Sequence, residues 1–294
     1  MGMKKKNIII ISVVVAFLLV YFITKSIVVH KVRSSIDNVI EEASQFAKID
    51  YDDIDVSLIS WNAHIKGISI KSVGSDDVIL KIKKVIVYDY DRGSKSPNYA
   101  NFYIKDMSFD NIPGFLEELG YNRLVVDMSL DWDYNNKKGI YRLKKLSINA
   151  NDIGELNLKF TLTNLNLEDE YIDMAPDDII FMFQKALIEN AEISYKDDSL
   201  IKKTIEHDAE QQGLSYKSMR DKIVNDINVD NFPGIPGKDL KKIKKFIKEQ
   251  GTISVSISPE SSLNLKQLSE VMDMNKNSNA FKQIYKKLNV KISI

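Results

Sequence analysis

The sequence predicts an α+β protein: a single N-terminal transmembrane helix, then a curved antiparallel β-sheet packed with C-terminal helices. Three observations predict it. Residues Ile8–Ile23 are apolar apart from Ser12 and follow Lys4, Lys5 and Lys6. Several later stretches alternate apolar and polar residues with period two, the signature of a sheet covered on one face. From Pro176 onward helical spacing takes over, interleaved with short alternating runs.

The anchor comes first. At about 1.5 Å per residue, Ile8–Thr24 covers roughly 25 Å, near the short limit for a bilayer. Snorkelling of Lys6 and Lys25 closes the gap. A cleaved signal peptide has a shorter apolar core and a small-x-small step, which Thr24-Lys25-Ser26-Ile27 lacks. Lys25, Lys31 and Arg33 balance the three N-terminal lysines, so the orientation rests on the terminal amine and on the absence of anything N-terminal to translocate. These place the tail in the cytoplasm and the rest of the chain outside it. Gly2 does not read as a myristoylation site, because Lys6 stands where the motif needs Ser or Thr. The first expected partner is therefore the lipid bilayer, through residues 8–24.

Composition narrows the function. Lys plus Arg and Asp plus Glu are 41 each, so no broad basic field points to nucleic acid. With 44% hydrophobic residues the chain can build a core. It has no cysteine and three histidines, so disulfides, thiolate metal sites and cysteine nucleophiles are excluded. No active site and no cofactor are expected.

Residues 1–26 are read as cytoplasmic tail and anchor. Residues 27–50 are read as a stalk helix on the spacing of Val32, Ile36, Val39, Ile40, Ala43 and Phe46. Residues 51–172 form the β-rich domain. Its strands begin at Ile54-Val56-Leu58 and continue through 64–70, 78–82 with 85–87, and 103–109. In the clearest of them, Leu124, Val126, Met128, Leu130, Trp132 and Tyr134 alternate with Asp127, Ser129, Asp131 and Asp133. Leu156, Leu158, Phe160 and Leu162 repeat the pattern, with 140–148 as a middle strand. Residues 173–294 are a helical, α+β part packing on the sheet. A helix runs from Pro176-Asp177-Asp178 through Asn190, and others lie near 199–212, 215–227, 238–250 and 265–272. Strands fall at 191–195, 252–258 and 288–294, and Asn231–Gly237 is a Pro- and Gly-rich loop.

Most motif fragments resolve into turns. Asp131-Trp132-Asp133-Tyr134-Asn135 opens like a calcium loop, but Asn136 and Arg142 occupy the positions that need Gly and Glu. Asp89–Gly93 fails in the same way at Ala100. Gly234–Lys238 lacks phosphate-loop spacing, and Asp239 replaces Ser or Thr. His30, His64 and His207 have no ligand spacing, and no G-x-S-x-G occurs. The segment Lys238–Lys248 carries an apolar stripe of Leu240, Ile243, Phe246 and Ile247 among six lysines. Lys241, Lys242, Lys244 and Lys245 are candidates for an anionic membrane surface. The favoured reading docks the stripe on the protein's own sheet.

Two stretches resemble a known group. Trp61–Ile70, Asp127–Tyr134 and Ile153–Leu158 resemble the sheet-forming region of uncharacterised membrane-anchored periplasmic proteins of Gram-negative bacteria. That group is loosely YdgA-type and more distantly AsmA-like. Ala191–Leu200, Gln211–Ser215, Ile257–Glu260 and Leu288–Val290 resemble its C-terminal part. The resemblance implies a single-pass inner-membrane protein with a periplasmic C-terminal domain, and a link to lipid movement and envelope homeostasis through an apolar β-groove. It transfers no catalytic residue.

Two functions are therefore expected from different classes. In the first, the sheet holds a lipid or acyl chain against Leu124, Val126, Leu130, Trp132, Leu156, Leu158, Phe160 and Leu162. In the second, the core is closed and the domain docks another envelope protein as a structural or assembly component.

Overall fold

The computed structural model describes residues 29–165 and 185–294, apart from 39, 42–43, 45–46, 58, 75, 92–97, 262, 265 and 267–277. The anchor expected over residues 8–24 lies outside the described residues, as do most of the helices expected over 177–190 and 265–272. No described helix is long and apolar enough to cross a membrane.

The chain divides into two compact units. Of the described residues, the first holds those up to Asp89 together with Phe102–Asp110, and the second holds those within Tyr90–Asn101 and Asn111–Ile294. In the first, residues 29–38 and 40–41 are helical. The helix expected to run to residue 50 gives way earlier, because β1 (Ala47–Asp50) pairs with Ser69–Ser72 and sets Ile49 opposite Ile70. Four residues show too little period to announce a strand, and the tertiary pairing decides the matter. β2 (Asp53–Val56) pairs with the other half of β3 (Ala63–Ser72). Gly67 stands between these two partnerships at φ +62, where a Cβ would come within 1.8 Å of Asp52 Oδ2. β4 (Val78–Tyr90) and β5 (Tyr99–Phe109) follow in the order β1-β3-β4-β5.

The second unit is an antiparallel meander followed by helices. β6 (Val125–Asn135), β7 (Ile140–Ala150), β8 (Gly154–Thr163), β9 (Leu187–Asp197), β10 (Gly251–Ile257) and β12 (Lys291–Ser293) lie in that order, and β11 (Leu263–Asn264) pairs with the start of β9. The long strands form where the sequence alternates, since period two presents one apolar face to a core. The β6–β7 turn is a short 3₁₀ segment, Asn136–Lys138. It is closed by Asn135 Oδ1 accepting Lys138 N–H at 3.1 Å and by Gly139 at φ +59. This turn occupies the place of the calcium-loop fragment.

The helices are α1 (Gly114–Glu118), α2 (Leu200–Gln211), α3 (Tyr216–Asp226), α4 (Gly237–Glu249) and α5 (Ser278–Lys287). Ile205, Ala209 and Met219 form a core among α2 and α3, joined by Ile247 of α4. The stripe of α4 is spent inside the fold, with Leu240 and Phe246 buried. Two expectations are corrected. Leu187–Asn190 belong to β9 rather than to a helix, and the strand expected over 288–294 is only Lys291–Ser293, preceded by α5.

Candidate functional site

The register of the second unit gathers the apolar positions of its strands on one face. Val126, Met128, Leu130, Trp132 and Tyr134 of β6 stand opposite Ala150, Ile148, Leu146, Leu143 and Tyr141 of β7. Those pair onward with Gly154, Leu156, Leu158, Phe160 and Leu162 of β8. The row continues through Tyr195, Ile193, Ala191 and Ile188 of β9 to Ile253, Val255 and Ile257 of β10. An extra residue in β7 at Lys144 lets the phase persist across the bulge.

All eight residues expected to line a lipid site therefore belong to one face and its rim. Val126 and Leu162 are buried, while Leu124, Leu130, Trp132, Leu156, Leu158 and Phe160 remain partly exposed. The ends of the face are closed. Leu162, Leu165, Ala186 and Ile188 pack at one end, and Leu116, Tyr121 and Ile153 pack at the other with Leu124. Trp132 stacks on Tyr141 at 5.7 Å, and Tyr141 lies 5.8 Å from Phe160. Over β9, Phe246 of α4 meets Tyr195 edge-on at 6.3 Å. Between these closures Ile193, flanked in register by Leu158 and Val255, is 43% exposed.

The opposite face is charged and paired. Arg142 bonds Asp133 at 3.1 Å, and Lys144 reaches Asp133 at 2.8 Å and Asp131 at 3.5 Å. Burial pushes the Asp133 carboxyl up, but the hydrogen bonds and charges of Lys144 and Arg142 outweigh it and hold the group below its ordinary 3.8. A carboxyl lowered in the folded chain binds fewer protons there than when unfolded. Its stabilisation is complete above the unfolded value and is lost as the pH falls through the lower folded one. Asp133→Asn should therefore cost under about 1 kcal/mol in urea unfolding near pH 7, with the difference vanishing near pH 2.

A polar knot, missed in the sequence, fixes the start of α2. The Ile153 carbonyl accepts the N–H groups of Asp198, Ser199 and Leu200 at 3.2–3.4 Å. Buried Asp197 accepts the Tyr195 hydroxyl at 2.8 Å and Ile201 N–H at 3.0 Å. Burial and the hydrogen bond to Asp197 push the Tyr195 hydroxyl far up, so it stays a donor. Beside the knot is a cavity of about 410 Å³, lined by Tyr121, Arg123, Asn151, Ser199 and Lys203 among others. Lys203 Nζ sits 3.6 Å over the Tyr121 ring. The available signal was Asp197-Asp198-Ser199 directly before a helix, a capping pattern.

The basic helix is tied down in part. Lys242 bonds Asp239 at 3.3 Å and donates to the Ile292 carbonyl, and Lys245 pairs with Glu249 at 3.7 Å. Lys241 is exposed, and Lys244 is partly so. Among the described residues no group of three or more His, Cys, Asp or Glu could hold a metal ion.

These features define an α+β protein built on an open antiparallel sheet with several helices. A family model described as "Uncharacterized protein" matches residues 147–294, just over half of the chain, and the chain belongs to that family. No curated protein matches it.

Proposed function

We propose that the chain is a non-enzymatic protein of the bacterial inner membrane, anchored through residues 8–24 with its C-terminal part in the periplasm. It holds a lipid acyl chain on the apolar face of β6–β10 and so serves envelope homeostasis. The observation that supports this reading is Ile193, 43% exposed in the middle of an otherwise apolar face whose two ends are closed. A covered core would bury that position first, since a sheet's centre is farthest from solvent. The likeness of Trp61–Ile70 and Asp127–Tyr134 to YdgA-type and AsmA-like proteins supports the location and the lipid.

The reading as an assembly component draws on a different observation: α4 already lays Phe246 on Tyr195, so part of the face is covered from within.

A photoactivatable fatty acid offered to the full chain in nanodiscs separates the two. Cross-links should map to Val125–Asn135 and Gly154–Thr163. Leu158→Asp should keep its circular dichroism and cooperative melting while losing at least about tenfold of that labelling. Unfolding of Leu158→Asp, with no labelling of the strands in the parent chain, would establish the closed core and overturn the lipid site.

A further inference from the structure

The tip of the β2–β3 hairpin is built differently from the other turns. Ile59 is 87% exposed and Trp61 is 59% exposed. Residues 56–63, Val-Ser-Leu-Ile-Ser-Trp-Asn-Ala, carry no charge in a chain that is 28% charged. Described residues of the turn are hydrogen-bonded to one another. Ser57 N–H donates to the Asn62 carbonyl at 2.9 Å, and Ser60 N–H donates to Ser57 Oγ at 3.3 Å. Trp61 sits at φ +55, a region a bulky residue enters only when its surroundings hold it there. The ring nevertheless leaves most of its surface in solvent. The register continues the feature sideways, since Ala63 pairs with Val87 and so places Tyr88, 42% exposed, at the same end of the sheet.

We infer that this tip inserts into the interfacial layer of a lipid bilayer, with Ile59 and Trp61 as the inserting pair. The inference rests on the reading that residues 8–24 anchor the chain, which supplies the bilayer. Trp and Tyr favour the headgroup boundary because an apolar ring and a hydrogen-bonding edge are satisfied there together. An uncharged tip avoids the desolvation that Lys or Asp would suffer at that depth, and insertion of about 5–10 Å suffices for two side chains. Asp55 and Asp89 flank the tip, so attraction to anionic lipid is not what holds it.

The chain has two tryptophans, Trp61 and Trp132, which makes the test direct. The full-length Trp132→Phe variant, reconstituted in phosphatidylcholine vesicles, reports on Trp61 alone. Its emission should shift to the blue and fall about twofold when the acyl chains carry bromine. Adding Ile59→Asp should abolish the quenching while the chain still floats with the vesicles. If Trp132→Phe fails to fold, the difference between the parent chain and Trp61→Phe gives the same reading. Unquenched, solvent-like Trp61 emission from a floating chain overturns insertion and leaves the tip to a protein partner. A chain that does not float overturns the anchor and the insertion with it.

Discussion

Gly154→Ala is expected to lower the thermal midpoint by about 10 °C, a loss of about 3 kcal/mol for a unit of this size. Gly154 opens β8 directly after the Ile153 carbonyl that gathers three N–H groups at the start of α2. A Cβ there would stand 2.5 Å from the Lys196 carbonyl oxygen and 2.8 Å from the Tyr195 hydroxyl. The first contact is with backbone already engaged in the β8–β9 ladder, so relief requires the two strands to part. The second contact falls on the hydroxyl that donates to Asp197, so the methyl also disturbs that bond. Gly237→Ala provides the contrast. Nothing lies within 4 Å of its added methyl, and it starts helix α4, so its midpoint should stay level or rise slightly. Equal losses in the two variants by differential scanning would show that the close approach at Gly154 is unimportant.

The second large effect is expected at Asp239. Its side chain is 2% exposed and accepts the Tyr285 hydroxyl at 3.0 Å and Lys242 Nζ at 3.3 Å, linking α4 to α5. Asp239→Leu removes an acceptor from two donors at once, and breaking such a buried pair costs about 3 kcal/mol. Lys242 is 39% exposed and can turn to water, so the Tyr285 hydroxyl carries most of the remaining penalty. That hydroxyl is held protonated, because burial and the hydrogen bond to Asp239 both push it up. Adding Tyr285→Phe should therefore restore about 1 kcal/mol in urea unfolding. A double variant no more stable than Asp239→Leu alone would separate Asp239 from Tyr285 energetically.

The two cases also mark the limit of what the sequence discloses. The strands around Leu124–Tyr134 and Leu156–Leu162 were legible because one polar face enforces strict alternation, and their common face follows from that. Where a bulge intervenes, as at Thr161/Leu162, adjacent Leu187 and Ile188 break the period, and the start of β9 reads as helix. Helix α5 had a signal in Phe281, Ile284, Tyr285 and Leu288, but the alternation from Leu288 onward drew attention to a strand instead. Asp197 and Asp239 were hidden for another reason. A carboxylate near the start of a helix looks like ordinary capping or dipole compensation; burial makes Asp197 a node with its near neighbours Tyr195 and Ile201, and the Tyr285 hydroxyl from α5 does so for Asp239. For the candidate lipid site, the residue types were readable, but which of them stay exposed, as Ile193 does, is set by tertiary packing.

The outer strand of the second unit has a consequence for self-association. β12 offers three residues, pairing only with Ser254–Ser256, and Lys291 is exposed at its rim. A neighbouring copy arriving there would find too few amide and carbonyl groups to register against, and would meet a cation as it approached. This border is therefore a poor template for an incoming strand, which shields the apolar sheet behind it from edge-to-edge growth on that side.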